Sequence, residues 1–161
     1  MAQRRSAKPI RSSDYQAMGA FRLALRRFAA FSDAAARDAG LTPQQHQALL
    51  AIRAHTGAEP MTIGELAECL MIKNHSAVEL VGRLVDRDLV ARTHSESDRR
   101  RILLRLTAEA EALVAKVTRN NLRELSSTAP IFRDLLKTLR RIGAEHGTEG
   151  AEPQSRNRDR P

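Results

Sequence analysis

One cysteine, Cys69, stands in 161 residues, which excludes an intrachain disulfide framework and any thiolate zinc cluster. It is compatible with a reducing compartment. No apolar run approaches the ~20 residues needed to span a bilayer, and Met1-Ala2-Gln3-Arg4-Arg5-Ser6 leads into no apolar stretch of the kind a secretory signal needs. A cytoplasmic protein without a membrane partner is expected. The histidines, at 46, 55, 75, 94 and 146, are scattered without ligand-like spacing. There is no phosphate-cradling glycine motif, no nucleophile elbow and no His-x-x-x-His pair. Neither an enzyme, a metal site nor a cofactor is therefore expected. Aromatic residues number five (four Phe, one Tyr, no Trp), and no solenoid repeat or low-complexity block is present.

What is abundant is positive charge. Lys and Arg total 27 against 19 acids, a formal net charge of +8, and the sequence pI is about 10.9. Such a balance points to a polyanion, most simply nucleic acid. Half of the +8 lies in residues 1–13 (Arg4, Arg5, Lys8, Arg11, no acid). Within the body, residues 83–105 hold seven arginines against Asp86, Asp88, Glu96 and Asp98. Residues 1–13 and 148–161 are polar and aperiodic and read as disordered tails.

Between the tails the chain reads as mainly α with a small β-hairpin, in the order α-α-α-α-β-β-α-α, with room for a short extra strand near 59–61. A first helix opens near Ser13, where Ser13-x-x-Gln16 resembles a capping box, and stops at Gly40. Thr42-Pro43-Gln44-Gln45 starts a second helix, which Thr56-Gly57 end. Thr62-x-x-Glu65, stapled by Met61 and Leu66, starts a short third helix to about Leu70. A fourth begins at Lys73 or Asn74. Its apolar face reads as Ala77, Val78, Val81, Leu84 and Val85, with His75, Ser76, Glu79, Arg83 and Asp86 opposite. The period then changes, and 89–94 and 102–106 read as strands around the basic tip 95–101. Thr107 caps a long helix to about Leu125. Ser126-Ser127-Thr128-Ala129-Pro130 breaks it, and a last helix carries Ile131, Leu135, Leu139 and Ile142.

Residues 62–106 thus combine a helix-turn-helix with a basic hairpin, a winged helix. The major groove of B-DNA admits one α-helix whose N-terminal outward residues reach base edges. Here those are Asn74, His75, Ser76 and Glu79, with Arg83 further along. Lys73 and the helix-start N–H groups favour phosphate, and Thr62 at the start of the third helix is a further candidate backbone contact. The tip arginines Arg99, Arg100 and Arg101 suit a narrow, strongly negative minor groove.

Over roughly residues 15–145 the sequence resembles the MarR (multiple-antibiotic-resistance regulator) family of winged helix-turn-helix transcriptional regulators. The most specific element is Asp98-Arg99-Arg100 followed by Leu106-Thr107, which looks like the family's wing signature. Leu66-Ala67-x-x-Leu70, Val81-Gly82-Arg83-Leu84, Leu89-Val90-Ala91-Arg92 and Gly40-Leu41-Thr42 also fit. The resemblance implies that Arg100 enters the minor groove with Asp98 orienting it, and that Ser76 lies at the major groove. Asp88 stands where the family usually has Gly; Asp tolerates a left-handed backbone better than most residues. Ala110 replaces a frequent Gly. Glu79 is an acid where polar or basic residues are commoner, and it can accept from cytosine.

The resemblance further implies a homodimer built from helices in 14–40 and 107–147, flanking a DNA-binding domain at 41–106. Its two wings would straddle a pseudo-palindromic operator. Most simply it would be a repressor released by a small aromatic or phenolic effector. Loose candidates for the effector site are Tyr15, Arg22, Arg26 and His46. Cys69, beside Leu66 and Leu70, reads as buried filler. The competing readings are a sequence-nonspecific architectural DNA binder and a redox-responsive regulator using Cys69.

Overall fold

The computed structural model describes residues 9–95, 98 and 101–146. Their elements are α1 (Ser12–Asp38), α2 (Pro43–Ala54), α3 (Ile63–Cys69), α4 (Asn74–Val85), β1 (Val90–His94), β2 (Ile102–Leu106) and α5 (Ala108–His146). Two compact units emerge. One comprises residues 27–126; the other comprises 1–26 with 127–161. Of the expected tails, 1–8 and 148–161 lie outside the described residues, while Ser12 and Ser13 already belong to α1.

Local sequence explains most boundaries. Thr42 Oγ1 accepts from the Gln45 N–H at 3.2 Å while Gln45 Oε1 accepts from the Thr42 N–H at 3.0 Å. This reciprocal box, with Pro43 in the first turn, starts α2. Thr62 and Glu65 repeat it at α3. The two hydrogen bonds from Thr62 to Glu65 hold that carboxyl below its ordinary range. Thr107 accepts from the Ala110 N–H at 3.3 Å and donates to the Asp88 carbonyl at 2.8 Å, so one hydroxyl both caps α5 and ties it to the start of the wing.

Three helices end the same way, by a residue with positive φ: Gly40 (77°) after α1, Met71 (53°) after α3 and Asp88 (53°) after α4. In each case two N–H groups fold back on the last turn. Gly40 and Leu41 donate to Arg37 and Ala36; Met71 and Ile72 to Glu68 and Ala67; Asp88 and Leu89 to Val85 and Leu84. Gly40 and Asp88 behave as their residue types lead one to expect. Met71 is an L residue with a Cβ in a conformation that disfavours one.

β1 and β2 pair antiparallel, Val90 opposite Leu106 through His94 opposite Ile102. No strand forms at 59–61. Instead Met61 accepts from the Leu104 N–H at 2.8 Å and Thr62 forms a single bridge to Leu103; Pro60 lacks the N–H that would extend that pairing. The core of the unit 27–126 joins Leu41, Leu49, Leu66, Leu80, Val81, Leu84, Leu89, Val90 and Leu104, with Ala110 and Val114 from α5.

The structure corrects four sequence expectations. Helix α1 opens at Ser12, and it is Asp14, not Gln16, that accepts from the helix-start N–H, that of Arg11, at 2.9 Å. Asp14 lies two residues nearer to Arg11 than Gln16 does, and its carboxylate is the better acceptor. On α4 the buried face is Ala77, Leu80, Val81 and Leu84, whereas Val78 is 44% exposed; the face is centred on the 77–81–84 line and Val78 falls 100° off it. Cys69 is exposed rather than buried, because the seven-residue α3 buries Leu66 and Ala67 and Cys69 lies across the helix from Ala67. Residues 126–130 do not break the last helix in two, and α5 runs through Pro130. Pro130 removes one N–H and crowds the Ser126 carbonyl, but the stretch contains no glycine and the Ser126 hydroxyl donates back to the Leu122 carbonyl at 2.8 Å.

Candidate nucleic-acid interface

Helix α4 owes its orientation to its inner face. Ala77, Leu80, Val81 and Leu84 are each at most 1% exposed, which turns Asn74, His75, Glu79 and Arg83 outward, all exposed, with Ser76 half-buried at the edge. Lys73 precedes the helix with no side chain capping it, so the first N–H groups of α4 remain available to an acceptor such as phosphate. Glu79 and Arg83 approach to 3.9 Å along the exposed face, a loose pair that leaves the guanidinium free to reorient. Val78 also points outward, an apolar group suited to a thymine methyl. Sequence periodicity alone assigns it to the core, and only the register of the buried face distinguishes the two.

Beside this helix, Arg92 of β1 crosses Gly82. A Cβ built at Gly82 would stand 3.8 Å from the Arg92 guanidinium. Arg92 and Arg105 are both exposed cations. Arg87, by contrast, folds inward, donating to Gln45 Oε1 and to the Gly40 carbonyl at 3.0 Å each.

At the wing, Arg99 and Arg100 lie outside the described residues. Asp98 is half-buried and its carbonyl accepts from the Arg101 N–H at 2.9 Å. Arg101 turns back to the body, with Nη1 2.7 Å from Glu59 Oε2. The Thr62 hydroxyl is engaged by Glu65, donating to its carboxylate at 2.8 Å.

The four effector candidates belong to different units. Tyr15, Arg22 and Arg26 are exposed on α1 in the unit that includes 1–26, whereas His46 is buried on α2 in the unit 27–126. Burial lowers the His46 pKa, and the Asp33 carboxylate opposes that shift more weakly. Its Nε2 has no partner, nor does the buried Oδ1 of Asn121, whose amide donates to Ser32 Oγ at 2.9 Å. Separately, α2 and α5 enclose a groove of about 390 Å³ lined by Leu50, Arg53, Glu111, Val114 and Thr118. Among the described residues no group of three or more His, Cys, Asp or Glu side chains could hold a metal ion. No helix of the described residues is long and apolar enough to cross a membrane.

Residues 39–101 match the model of the MarR family. The HTH-type transcriptional repressor MdtR of Bacillus subtilis (strain 168) is 35% identical over 72 residues, covering 45% of this chain and 44% of that protein. The chain thus spans less than half the length of this curated relative. Among solved structures, RV1404 from Mycobacterium tuberculosis is 25% identical with a TM-score of 0.65, covering 89% of this chain and 100% of that one. BpsR of Bordetella bronchiseptica, whose DNA binding is regulated by 6-hydroxynicotinic acid, is 26% identical with a TM-score of 0.59, covering 85% and 98%.

Proposed function

Since residues 39–101 match the model of the MarR family, we propose that this chain is a MarR-type winged-helix transcriptional regulator that binds double-stranded DNA in a sequence-specific manner. The observation that carries the reading is the outward face of α4. Five polar or charged side chains (Lys73, Asn74, His75, Glu79, Arg83) are exposed on a helix anchored from behind, and an antiparallel basic hairpin follows at once. In this reading α4 enters the major groove, with Ser76 at its edge, and Lys73 and Thr62 lie near phosphate. Arg99 and Arg100 reach the adjacent minor groove, oriented by Asp98.

The chain acts as a homodimer on a pseudo-palindrome, and as a repressor. What supports the dimer is apolar surface left open on α1 and on the end of α5: Tyr15, Met18, Leu23, Leu25, Ile131 and Leu136 are 43–67% exposed. The regions 14–40 and 107–147 supply the interface, and 41–106 reads DNA. A small aromatic or phenolic carboxylate releases the operator by preferring a dimer whose half-site spacing is wrong. The regulation of BpsR by 6-hydroxynicotinic acid supports that ligand class.

Footprinting on the DNA flanking its own coding region tests the reading, with a protected palindrome expected. Arg100→Ala is expected to weaken binding to that site by ~1–3 kcal/mol while the protein stays folded. Equal affinity for all duplexes at fixed salt would instead make it an architectural binder.

A further inference from the structure

Glu59 stands outside the hairpin, yet its carboxylate holds both ends of the hairpin tip. Ser95, the residue after β1, is 1% exposed and its hydroxyl donates to Glu59 Oε1 at 2.9 Å. Arg101, the residue before β2, donates through Nη1 to Glu59 Oε2 at 2.7 Å. The two are also joined directly, Ser95 N–H to Arg101 carbonyl at 3.0 Å. Glu59 is itself fixed from the following residues, through the Leu104 to Met61 bond and the Thr62 to Leu103 bridge. A two-stranded ribbon is marginal by itself, so a carboxylate bridging its two outgoing ends fastens the root of the hairpin at Ser95 and Arg101.

We propose that Glu59 is a positioning residue of the wing, and that Arg101 is held by Glu59 instead of neutralising a DNA phosphate. The proposal rests on the DNA-binding reading. It divides the arginines of the tip by task, Arg101 fastening the root and Arg99 and Arg100 remaining for DNA. Glu59 and a phosphate are alternative acceptors for one guanidinium, so the assignment has a signature in salt dependence. Each phosphate contact adds about one unit to the slope of log K against log salt.

The experiment is operator binding by the full chain, measured by fluorescence anisotropy over a series of KCl concentrations. Arg101→Ala should weaken binding but keep the wild-type slope, whereas Lys73→Ala, at a residue placed near phosphate, should lower the slope by about one unit. Glu59→Gln leaves Ser95 an acceptor, removes the ion pair and frees the Arg101 guanidinium for phosphate, so its slope should rise above wild type. Combining the two should be no worse than Arg101→Ala alone. A slope lowered by about one unit in Arg101→Ala, or additive losses in the double variant, would overturn the assignment. Hydrogen exchange separates this failure from failure of the DNA reading. In Glu59→Ala the amides of 92–95 and 101–104 should lose protection while those of α4 keep theirs; unchanged exchange at the hairpin sinks the positioning role whether or not any DNA is bound.

Discussion

The unit 27–126 has a closed apolar core, although Met71, Val78 and Leu122 stay exposed, whereas α1 before Arg27 and α5 after Ser126 have no buried apolar residue among those described. Among the described residues, every buried apolar one lies between Ala35 and Val117. Outside that interval, Ile10, Tyr15, Met18, Leu23, Leu25, Ile131 and Leu136 keep 43–67% of their surface. The residue types are alike in both regions; what differs is layering. In the winged unit, helices and a hairpin offer each other second layers, and each sealed leucine contributes roughly 1.5–3 kcal/mol. The open helical stretches carry the same unused potential. It becomes stability only when something covers it, so the first region should report on folding and the second on association.

That contrast can be broken, most severely in the core. Leu84→Ala, at a site with no exposure, should lower unfolding free energy by about 2–5 kcal/mol, read from urea melts. Leu136→Ala, at 48% exposure, should leave the melt of the dilute protein within about 0.5 kcal/mol; comparable losses at the two sites would erase the distinction. The open surface is tested by Met18→Lys combined with Ile131→Lys. We expect dimerisation to weaken by about 3 kcal/mol, a hundredfold or more, with the winged unit intact by circular dichroism. An unchanged sedimentation profile would remove these residues from the interface.

Smaller effects sharpen the picture inside the winged unit. His46 is buried, and its folded-state pKa lies below the ordinary 6.5. The unfolded chain therefore binds the proton first. The contribution of neutral His46 is present above pH 6.5 and is lost as pH falls below that value towards the lowered one. Urea midpoints should decline over that window, and His46→Leu should flatten the decline. The smallest expected change is a gain. Met71→Gly removes the Cβ from a left-handed residue that is 92% exposed, and should raise stability by up to about 1 kcal/mol. A loss there would mean that the methionine side chain supports the turn.

Features fixed within a few residues were legible from sequence: the boxes at Thr42 and Thr62, the stop at Gly40, Asp88 standing in for glycine, and Thr107 as a cap. Each depends either on a side chain bonding to its own backbone neighbourhood, as at the threonines, or on a residue's tolerance of positive φ, as at Gly40 and Asp88. Features set by which face wins burial were not legible. Val78 and Leu80 are both apolar and two residues apart, and only packing against the rest of the core chooses Leu80. Cys69 looked apolar by its neighbours and is exposed because a seven-residue helix buries little. Pro130 was read as a break since local propensity weighs proline heavily, whereas a long helix survives the loss of one donor. Of the candidate DNA contacts, the outward set on α4 followed from helical period. Glu59 had no signal at all, because its partners Ser95 and Arg101 lie 36 and 42 residues away.

The three left-handed helix ends carry a consequence for how this chain tolerates change. At each, the bend itself is a surface residue (Gly40, Met71, Asp88), while the next residue enters the interior (Leu41, Ile72, Leu89). Mutational constraint should therefore be offset by one position from the visible corner of the chain. At the corner, identity is graded by backbone preference and a poor choice is merely inefficient. One step later it becomes a choice between apolar and failed, because that side chain directs the following segment into the core. The glycine, methionine and aspartate found at the corners are dialects of one instruction, and the instruction is written in the residue that follows.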